Sequence, residues 1–344
     1  MKYIDFRSDT VTLPTKEMLE YMMQAEMGDD VYDDDPTVKE LEAYAAKLLG
    51  KEAALFTPSG TFANQLAILT HTTHGDEIIV CEESHIINHE VGATALIAGV
   101  TPRTVPMTNN IMDAKDIEKL IRGKDIHYPN TTLISIENAH SSGKIMPAKT
   151  MEDIKKLADQ YNIPVHLDGA RFFNAAKALN ISYTEFASYA TSINMCLSKG
   201  LCAPIGSLLI GPQAFIKKAK KYRKLMGGGM RQVGIIAAAG LYALKHMLDQ
   251  IEIDNQNASY LAEKLSTIDN VEVLTDRLAT NMVFFKLPQS IIAEDKLVNE
   301  MIKLGIKMND TENDEYRLVT HYYITKKEID LFVESLKKIL ISNV

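Results

Sequence analysis

The sequence predicts an α/β fold in which helices cover a mainly parallel sheet. Short apolar runs with strand character alternate with helical segments along much of the chain, as the crossover connections of a parallel sheet require. Four of these runs are followed at once by a short polar segment, "PSGT", "ENAH", "LDGAR" or "LSKG". Because ligands bind at the carboxyl ends of the strands in such folds, we expect these four segments to meet at one edge of the sheet.

The first clear helix is "PTVKELEAYAAKLLG", residues 36–50. Pro36 suits the first helical turn, and Thr37 and Glu40 have the spacing of a capping box. Gly50 then follows the last apolar position and is expected to end the helix.

The strands of the sheet are predicted from apolar runs bounded by polar residues. The first, "EAALF", leads through a Pro-Ser-Gly turn into a helix that opens near Thr61. The later strands are "EIIVCEE", "TTLISIENA", "IPVHLDGA", "TSINMCLS" and "IGSLLIG", each separated from the next by helical or loop segments.

A second, smaller unit is predicted after a long helical stretch from about Gln232 to Leu265. It contains "VEVL", "NMVFFKL", a helix near 293–304, "YRLVTHYY" and a terminal helix. We therefore expect a large domain over residues 1–250, with an N-terminal arm at 1–20, and a small α+β domain over residues 251–344. The boundary is expected near 245–255.

Composition limits the classes of function. The 344 residues are 46% hydrophobic with a net charge of −8, which favours a soluble protein with a sizeable core and disfavours a nucleic-acid-binding surface. The basic run "KKAKKYRK" is interpreted as the solvated face of a helix. Three cysteines without a CxxC pair indicate free thiols in a reducing compartment. With no signal peptide or membrane-length apolar run, we expect a cytoplasmic protein without a membrane partner.

Two residues at strand ends suggest cofactor chemistry. Lys199 lies inside the small and apolar run "NMCLSKGLCAPIGS", where it is either a lysine that reaches solvent or a neutral amine that forms a Schiff base. Asp168 ends the strand "IPVHLD". It is either a cap for the next helix or the carboxylate that pyridoxal phosphate (PLP) needs opposite its ring nitrogen.

The "PSGT" turn is a candidate phosphate site, because the amides and the positive end of a helix dipole bind anions. Neither a G-x-G-x-x-G fingerprint nor a P-loop is present, which disfavours nicotinamide and P-loop nucleotide binding. Arg171, Arg231 and Arg317 are candidates for holding a carboxylate or phosphate. Each alone is also compatible with a surface ion pair.

His85 and His89 lie four residues apart in "SHIINHE". Without an HExxH motif or an indicated third ligand, no metal is predicted there; an imidazole here instead stacks on a flat cofactor or moves protons. The acidic segment "GDDVYDDDP" does not match an EF-hand and is interpreted as a solvated loop with turn-forming aspartates.

Taken together, the chain resembles the threonine aldolase family of fold-type I PLP-dependent enzymes, within the beta-eliminating lyase superfamily. The resemblance is carried in order by "DFRSDTVTLPT", "GDDVYDDDPTV", "GKEAALFTPSGTFAN", "HLDGARFFNAA", "CLSKGLCAPIGSLLIG" and "RKLMGGGMRQVGIIAAAGLYAL". It extends from the amino terminus to "RLVTH" at 317–321. It implies a large domain with a mainly parallel seven-stranded sheet and PLP as the cofactor.

The resemblance also implies roles around the cofactor. Lys199 would form the Schiff base with PLP, Asp168 would hold the ring nitrogen, and His85 would stack over the ring. Gly60 and Thr61 would seat the phosphate. The remaining cofactor-binding candidates are Arg171, which would lie beside PLP, and Lys224 and Arg231, of which Arg231 would reach the phosphate across a subunit boundary.

On the substrate side, the resemblance places the amino-acid carboxylate on Arg317 and Ser8, with Arg171 nearby. His127 in "DIHY" matches a histidine near the substrate hydroxyl, so either His85 or His127 would act as the base. Such sites are built from neighbouring subunits, which implies a homo-oligomer, a dimer or a tetramer.

The implied reaction is retro-aldol cleavage of a β-hydroxy-α-amino acid such as threonine to glycine and an aldehyde. Alternatives on the same scaffold are a β-eliminating lyase, a racemase or an aminotransferase acting on a small amino acid. A cofactor-free Schiff-base aldolase and a non-catalytic binding homologue are hypotheses of other classes. One departure from the family pattern is Cys202, which stands where the family usually has glycine.

Overall fold

The computed structural model of the chain describes residues 3–106 and 111–342. Its strands are β1 (Ile4–Asp5), β2 (Ala53–Thr57), β3 (Glu77–Cys81), β4 (Thr101–Val105), β5 (Thr131–Glu137), β6 (Val165–Gly169), β7 (Ser192–Cys196), β8 (Ser207–Gly211), β9 (Glu272–Val273), β10 (Met282–Lys286), β11 (Ile306–Lys307) and β12 (Tyr316–Val319).

Its α-helices are α1 (Lys16–Met23), α2 (Pro36–Leu49), α3 (Gly60–His71), α4 (His85–Asn88), α5 (Ala114–Leu120), α6 (Ala148–Tyr161), α7 (Phe172–Leu179), α8 (Tyr183–Ser188), α9 (Gln213–Leu225), α10 (Gly234–His246), α11 (Leu248–Leu265), α12 (Glu294–Lys303) and α13 (Lys326–Ile341).

Within the described residues, the central element is a seven-stranded sheet with the strand order β2-β8-β7-β6-β5-β3-β4. Neighbouring strands from β4 to β7 are parallel, whereas β8 is antiparallel to both β7 and β2. The predicted α/β fold with a mainly parallel sheet is therefore confirmed. Because β2 runs in the same direction as β7, the carboxyl ends of β2, β3, β5, β6 and β7 share one edge, which we call the carboxyl edge.

The apolar strands are buried because helices cover both faces of this sheet. β3, β6, β7 and β8 are buried at every position, which is why their sequences are nearly continuous apolar runs rather than alternating ones. On one face, Leu66 of α3 and Ile216 of α9 pack with Leu55 and Leu209. The larger cluster on the other face includes Leu41 of α2 and Leu241 of α10.

A second hydrophobic cluster surrounds a three-stranded antiparallel sheet with the order β12-β10-β9. It contains residues of α11, α12 and α13, and also Phe6, whose ring lies 4.9 Å from that of Phe332 between centroids. Helix α11 reaches both clusters, since Ile251 packs in the first and Ala258 in the second. The proposed division into residues 1–250 and 251–344 would cut the chain inside this helix.

The start of α2 differs from the capping box predicted at Thr37 and Glu40. The cap is Asp35, whose carboxylate accepts a hydrogen bond from Val38 N at 3.0 Å. Thr37 already lies inside the helix, and its hydroxyl donates to the carbonyl of Glu26 at 2.6 Å. Gly50 ends the helix with a φ of 64°, as predicted.

The segment 28–36 is not the solvated loop that its charge suggested. Asp30 and Asp35 are buried: Asp30 forms an ion pair with the buried Arg223, and Asp35 caps α2. In contrast, the "KKAKKYRK" run does lie on a helix, α9, whose apolar side buries Ile216 and Ala219. No helix among residues 3–106 and 111–342 combines the length and the hydropathy needed to cross a membrane.

Candidate active site

The four polar segments predicted to converge all begin at the carboxyl edge. "PSGT" follows β2, "ENAH" begins with the last residue of β5, "LDGAR" spans the end of β6, and "LSKG" follows β7. Helix α4, which begins at His85, follows β3 at the same edge. Asp168 lies at the end of β6, Lys199 follows the adjacent β7 and His85 follows the nearby β3, so all three lie at the carboxyl edge.

Lys199 lies in a loop with a fixed backbone. Its carbonyl accepts hydrogen bonds from the Thr12 hydroxyl at 2.7 Å and from Cys202 N at 2.9 Å. Leu197 and Leu201 on either side are buried, whereas Lys199 itself is half-buried. The apolar packing thus holds the loop in place and leaves the amine partly accessible at the carboxyl edge.

Cys202 adopts a φ of 63°, in the left-handed region that glycine populates without steric cost. Glycine would be unstrained here, which agrees with the glycine that the family resemblance leads us to expect three residues after the lysine. In this chain a buried thiol occupies the space beside the main chain, with Sγ 3.6 Å from the carbonyl oxygen of Gly200.

Asp168 is 2% exposed. Its Oδ2 accepts a hydrogen bond from Asn64 Nδ2 at 2.7 Å, and its Oδ1 accepts from Ala170 N at 3.1 Å and from Asn194 Nδ2 at 3.3 Å. No lysine or arginine of the described chain forms an ion pair with it. A buried carboxylate without a cationic partner is costly, and a protonated nitrogen of a bound group would supply the missing charge.

His85 is held both through its ring and through its backbone. Nδ1 lies 3.0 Å from Glu90 Oε1, and the backbone N donates to Glu137 Oε2 at 2.8 Å. The hydrogen bond to Glu90 raises the pKa of His85, and the charges of Asp168, Glu90 and Glu137 act in the same direction against burial. Nε2 makes no hydrogen bond within the described chain and remains available to a ligand.

His85, Glu90 and Asp168 also offer ligand-type atoms that all lie within 4.8 Å of one another. These atoms are already linked, because Asn64 donates to both carboxylates and His85 pairs with Glu90. The absence of a metal from this site stays a prediction.

Helix α3 presents its amino end at the same edge. Ser59 is the N-cap and accepts a hydrogen bond from Phe62 N at 3.1 Å, while Gly60 and Thr61 are the first two helical residues. Amides at these positions have no partner inside a helix, so they are suited to an anion.

Arg171 does not project freely toward a substrate. Its Nε and Nη2 donate to Asp9 Oδ2 and Oδ1 at 2.8 and 2.7 Å, and both side chains are buried. Although burial alone would raise the pKa of Asp9, the Arg171 charge and hydrogen bonds hold it well below its usual range. This pair ties the N-terminal arm to the end of β6.

Arg317, on β12, lines a polar cleft of about 390 Å³ together with His89, His140, Ser142 and Glu312. Within residues 3–106 and 111–342 its guanidinium forms neither a hydrogen bond nor an ion pair. Burial lowers its pKa, and the charge of Arg171 acts in the same direction. Arg317 is therefore a cation at a cleft, available to a carboxylate.

Of the remaining predicted residues, Ser8 lies beside Asp9, whereas Lys224, Arg231 and His127 are exposed. Ser8 caps the short 3-10 turn Asp9–Val11 and donates to Asp9 Oδ1 at 3.4 Å. Lys224 is exposed, and Arg231 is half exposed and pairs with Asp29 at 2.8 Å. The side chain of His127 is 77% exposed and bonded to Asp125. Among the described residues, no hydrogen bond or ion pair links Lys224, Arg231 or His127 to Lys199, Asp168 or His85.

Sequence reasoning missed three residues of this site. Asn64 lies four residues after Gly60, on the same face of α3, so helical spacing carried a signal for it. Glu90 lies five residues after His85 and is the buried partner of its ring. Asp9 carried no local signal, because its partner Arg171 is 162 residues away.

The sheet and the residues at its carboxyl edge define a structural class of enzymes. A mainly parallel seven-stranded sheet with a lysine, an aspartate and a helix amino end at the carboxyl edge is the fold of the fold-type I PLP-dependent enzymes. The solved structure of a threonine aldolase from Leishmania major shares this fold, with a TM-score of 0.84 over 98% of this chain and 99% of that one, at 21% identity.

The chain belongs to the beta-eliminating lyase family, whose model matches residues 5–288. The low specificity L-threonine aldolase of Escherichia coli (strain K12) is 41% identical over 327 residues, covering 95% of this chain and 96% of that protein. The low-specificity L-threonine aldolase 1 of Arabidopsis thaliana is 40% identical over 336 residues, covering 96% and 94%. The resemblance to threonine aldolases is thus confirmed.

Proposed function

We propose that this chain is a PLP-dependent aldolase that cleaves L-threonine and L-allo-threonine to glycine and an aldehyde. Relatives of about 40% identity over nearly the full length carry the name of that activity. The observation that carries the proposal is Asp168. It is a buried carboxylate without a lysine or arginine partner in the described chain, and it lies at the same edge as Lys199 and the amino end of α3.

The residues at the carboxyl edge fit PLP. Asp168 would pair with the ring nitrogen, the amides of Gly60 and Thr61 would bind the phosphate, and His85 would lie against the ring. Lys199 would supply the amine for covalent attachment. When bound, PLP supplies an aldehyde that captures amines and a conjugated ring that accepts the electrons released at Cα.

Arg317 is proposed to bind the carboxylate of the amino-acid substrate, because it is a cation at a polar cleft with no hydrogen-bond or ion-pair partner among the described residues. A guanidinium fork fixes a carboxylate in one orientation. That orientation determines which bond to Cα is aligned for cleavage, so Arg317 would select Cα–Cβ cleavage over loss of the Cα proton.

His85 is the proposed base that takes the proton of the β-hydroxyl, directly or through one water. Its Nε2 makes no hydrogen bond with the described residues, and Glu90 on Nδ1 stabilises the imidazolium that forms when Nε2 accepts a proton. His127 is the second candidate. Since it is exposed and, among the described residues, has no hydrogen bond or ion pair with Lys199, Asp168 or His85, its role depends on a neighbouring subunit.

Further expectations belong to the same proposal. A homo-oligomer, a dimer or tetramer, would bring Lys224, Arg231 and His127 of a second chain toward the site, and the cytoplasm remains the expected location. The substrate is a small amino acid, so neither nucleic acid nor a membrane is an expected partner.

The proposal is tested by product analysis of the purified, PLP-saturated protein with L-threonine, L-allo-threonine and serine. We expect glycine and acetaldehyde in equal amounts from both threonine isomers. Ammonia with a keto acid would indicate elimination. A keto acid without ammonia, formed as a keto-acid co-substrate becomes an amino acid, would indicate transamination. Inversion at Cα would indicate a racemase. Any of these as the main reaction would contradict the proposal.

A further inference from the structure

Beneath the carboxyl edge lies a buried set of polar side chains that surrounds Asn64, a residue of α3 that is 1% exposed. We propose that Asn64 is a positioning residue for both Asp168 and His85. It would hold the carboxylate that pairs with the ring nitrogen of PLP and, through Glu90, the imidazole that lies against the ring. This inference rests on the proposed function for its consequence in catalysis. The hydrogen bonds on which it rests all lie within one chain and do not depend on the proposed function.

Asn64 uses a single amide nitrogen to hold two carboxylates. Nδ2 donates to Asp168 Oδ2 at 2.7 Å and to Glu90 Oε1 at 2.8 Å. The same Glu90 oxygen bonds to Nδ1 of His85 at 3.0 Å. A continuous path of three hydrogen bonds therefore connects Asp168 to the ring of His85, and Asn64 lies at its centre.

The orientation of the Asn64 amide follows from its other partners. Asn194 Nδ2 donates to Asn64 Oδ1 at 2.9 Å and to the carbonyl of Gly60 at 3.2 Å, while Asn194 Oδ1 accepts from Ser207. Since an amide nitrogen only donates, Asn64 Oδ1 is the acceptor side. Both hydrogens on Nδ2 are then committed to Asp168 and Glu90.

The same logic fixes a tautomer of His166. Its Nε2 lies 3.2 Å from Asn64 Oδ1 and must carry the hydrogen, so Nδ1 accepts from the Ser192 hydroxyl at 2.9 Å. Ser192 in turn accepts from His71 Nε2 at 2.8 Å. Burial lowers the pKa of His166 and of His71 to about 3, so both rings are neutral near pH 7. The hydrogen bonds from His71 through Ser192 and His166 therefore all donate toward Asn64, which donates to Asp168 and Glu90.

A structural role for Asn64 predicts only lost stability after substitution, whereas a positioning role predicts changes at both ends of the path. Asn64→Leu removes both donors at similar volume. Gln65→Leu is the matched control, because Gln65 Nε2 donates to Glu90 Oε2 at 2.5 Å and, in the part of the chain that the structure describes, forms no hydrogen bond with Asp168. The two variants thus differ at the Asp168 end of the path.

The Asp168 end is read from PLP bound to each variant. We expect Asn64→Leu to bind PLP about tenfold more weakly and to change the pH dependence of its visible absorption band, which reports protonation of the ring nitrogen. Gln65→Leu is expected to leave both nearly as in the wild type.

The His85 end is read in the cofactor-free protein by NMR titration of labelled histidine. Loss of either donor to Glu90 leaves that carboxylate a stronger partner for the imidazolium, so the pKa of His85 is expected to rise in both variants. Asp168, Glu90 and Glu137 are the charged groups that face His85, and the ring of His89 lies 5.4 Å away. Only Glu90 loses a donor in both variants.

The proposal would be overturned if Asn64→Leu lowered stability without changing either the PLP band or the pKa of His85. Should Asn64→Leu not fold, Asn64→Ser, which keeps one donor, is expected to show the same changes at smaller size. The wild-type protein gives an independent test. If His166 carried its hydrogen on Nδ1, or were charged at pH 7, the proposal would also be refuted. A wild type that binds no PLP would refute the proposed function instead, while the His85 titration would still decide the role of Asn64.

Discussion

The buried carboxyl of Asp254 is expected to make the free energy of unfolding depend on pH. This residue of α11 is fully buried. Its Oδ1 accepts from Gln250 at 2.7 Å, whereas Oδ2 has no hydrogen-bond partner in the described chain. Burial raises the pKa of Asp254 to about 7, and the charge of Asp9 acts in the same direction. In the folded protein this carboxyl is therefore neutral well above the pH at which it ionises in an unfolded chain.

The sign of the pH dependence follows from these two states. Between the unfolded value of 3.8 and about 7, the folded protein keeps a proton that the unfolded chain has lost, so stability falls as the pH rises. Each pH unit in that window costs about 1.4 kcal/mol. Between pH 5.5 and pH 8, only the part below about pH 7 lies in that window, which is about one and a half units. Asp254 therefore accounts for a loss of about 2 kcal/mol in the free energy of unfolding.

Asp254→Asn removes this titration while keeping the oxygen that Gln250 bonds. The new amide nitrogen lacks a partner, which costs about 1–3 kcal/mol independently of pH. Urea unfolding at pH 5.5 and pH 8, at one protein concentration, is the assay. Compared with the wild type, the variant is expected to lose about 2 kcal/mol less between the two pH values. Burial also raises the pKa of Glu42 to about 7, but this contribution is the same in both proteins and cancels in the comparison.

Glu263→Gln, an exposed carboxylate on the same helix, is the control and is expected to keep the wild-type pH dependence. An Asp254→Asn variant whose stability changes with pH as strongly as that of the wild type would show that Asp254 is ionised in the folded protein. The reasoning from burial would then be wrong.

Three further predictions concern the site. Arg317→Ala is expected to raise the KM for L-threonine about tenfold or more while leaving the visible absorption of bound PLP unchanged; loss of PLP would mean that Arg317 serves the cofactor. Asp9→Asn leaves the buried Arg171 guanidinium without its counter-charge and is expected to lower the free energy of unfolding by about 3–5 kcal/mol, and the double variant with Arg171→Met should recover part of this loss. Cys202→Gly is expected to be at least as stable as Cys202→Ala in urea, because only glycine relieves about 1 kcal/mol of left-handed backbone strain; a less stable glycine variant would contradict that account.

Much of the fold was predictable because its signals are local. Each buried strand of the large sheet is an apolar run closed by a polar turn, and helices between the runs require parallel neighbours. The same locality placed Lys199 and Asp168, since Asp168 lies at the end of its strand and Lys199 lies in the loop that follows its strand. The antiparallel β8 was not predictable in this way, because a continuous apolar run does not encode direction.

The contacts that hold the site were harder to predict because they join distant segments. Arg171 was a candidate ligand of a substrate or cofactor from its type and from the family resemblance, and its guanidinium is bonded to Asp9 of the N-terminal arm. Arg223 and Asp30 form a buried ion pair across 193 residues, although both lie in segments whose charge suggested solvent. Nothing in the spacing of such residues distinguishes a buried pair from two exposed charges.

Cys202 shows how structure accounts for a departure that sequence comparison only records. The residue that replaces a usual glycine adopts a φ of 63°, and its amide donates to the carbonyl of Lys199 at 2.9 Å. The lysine loop therefore closes through a left-handed residue. The dihedral angle that makes glycine the favoured residue is not visible in the sequence.

The most direct test of the central claim is peptide mapping of the PLP-loaded protein after borohydride reduction. We expect the reduced cofactor to be attached to the amine of Lys199, and the visible absorption band to be lost with the reduction. A reduced cofactor on any other lysine, or no covalent cofactor at all, would contradict the proposal that Lys199 at the carboxyl edge carries the chemistry.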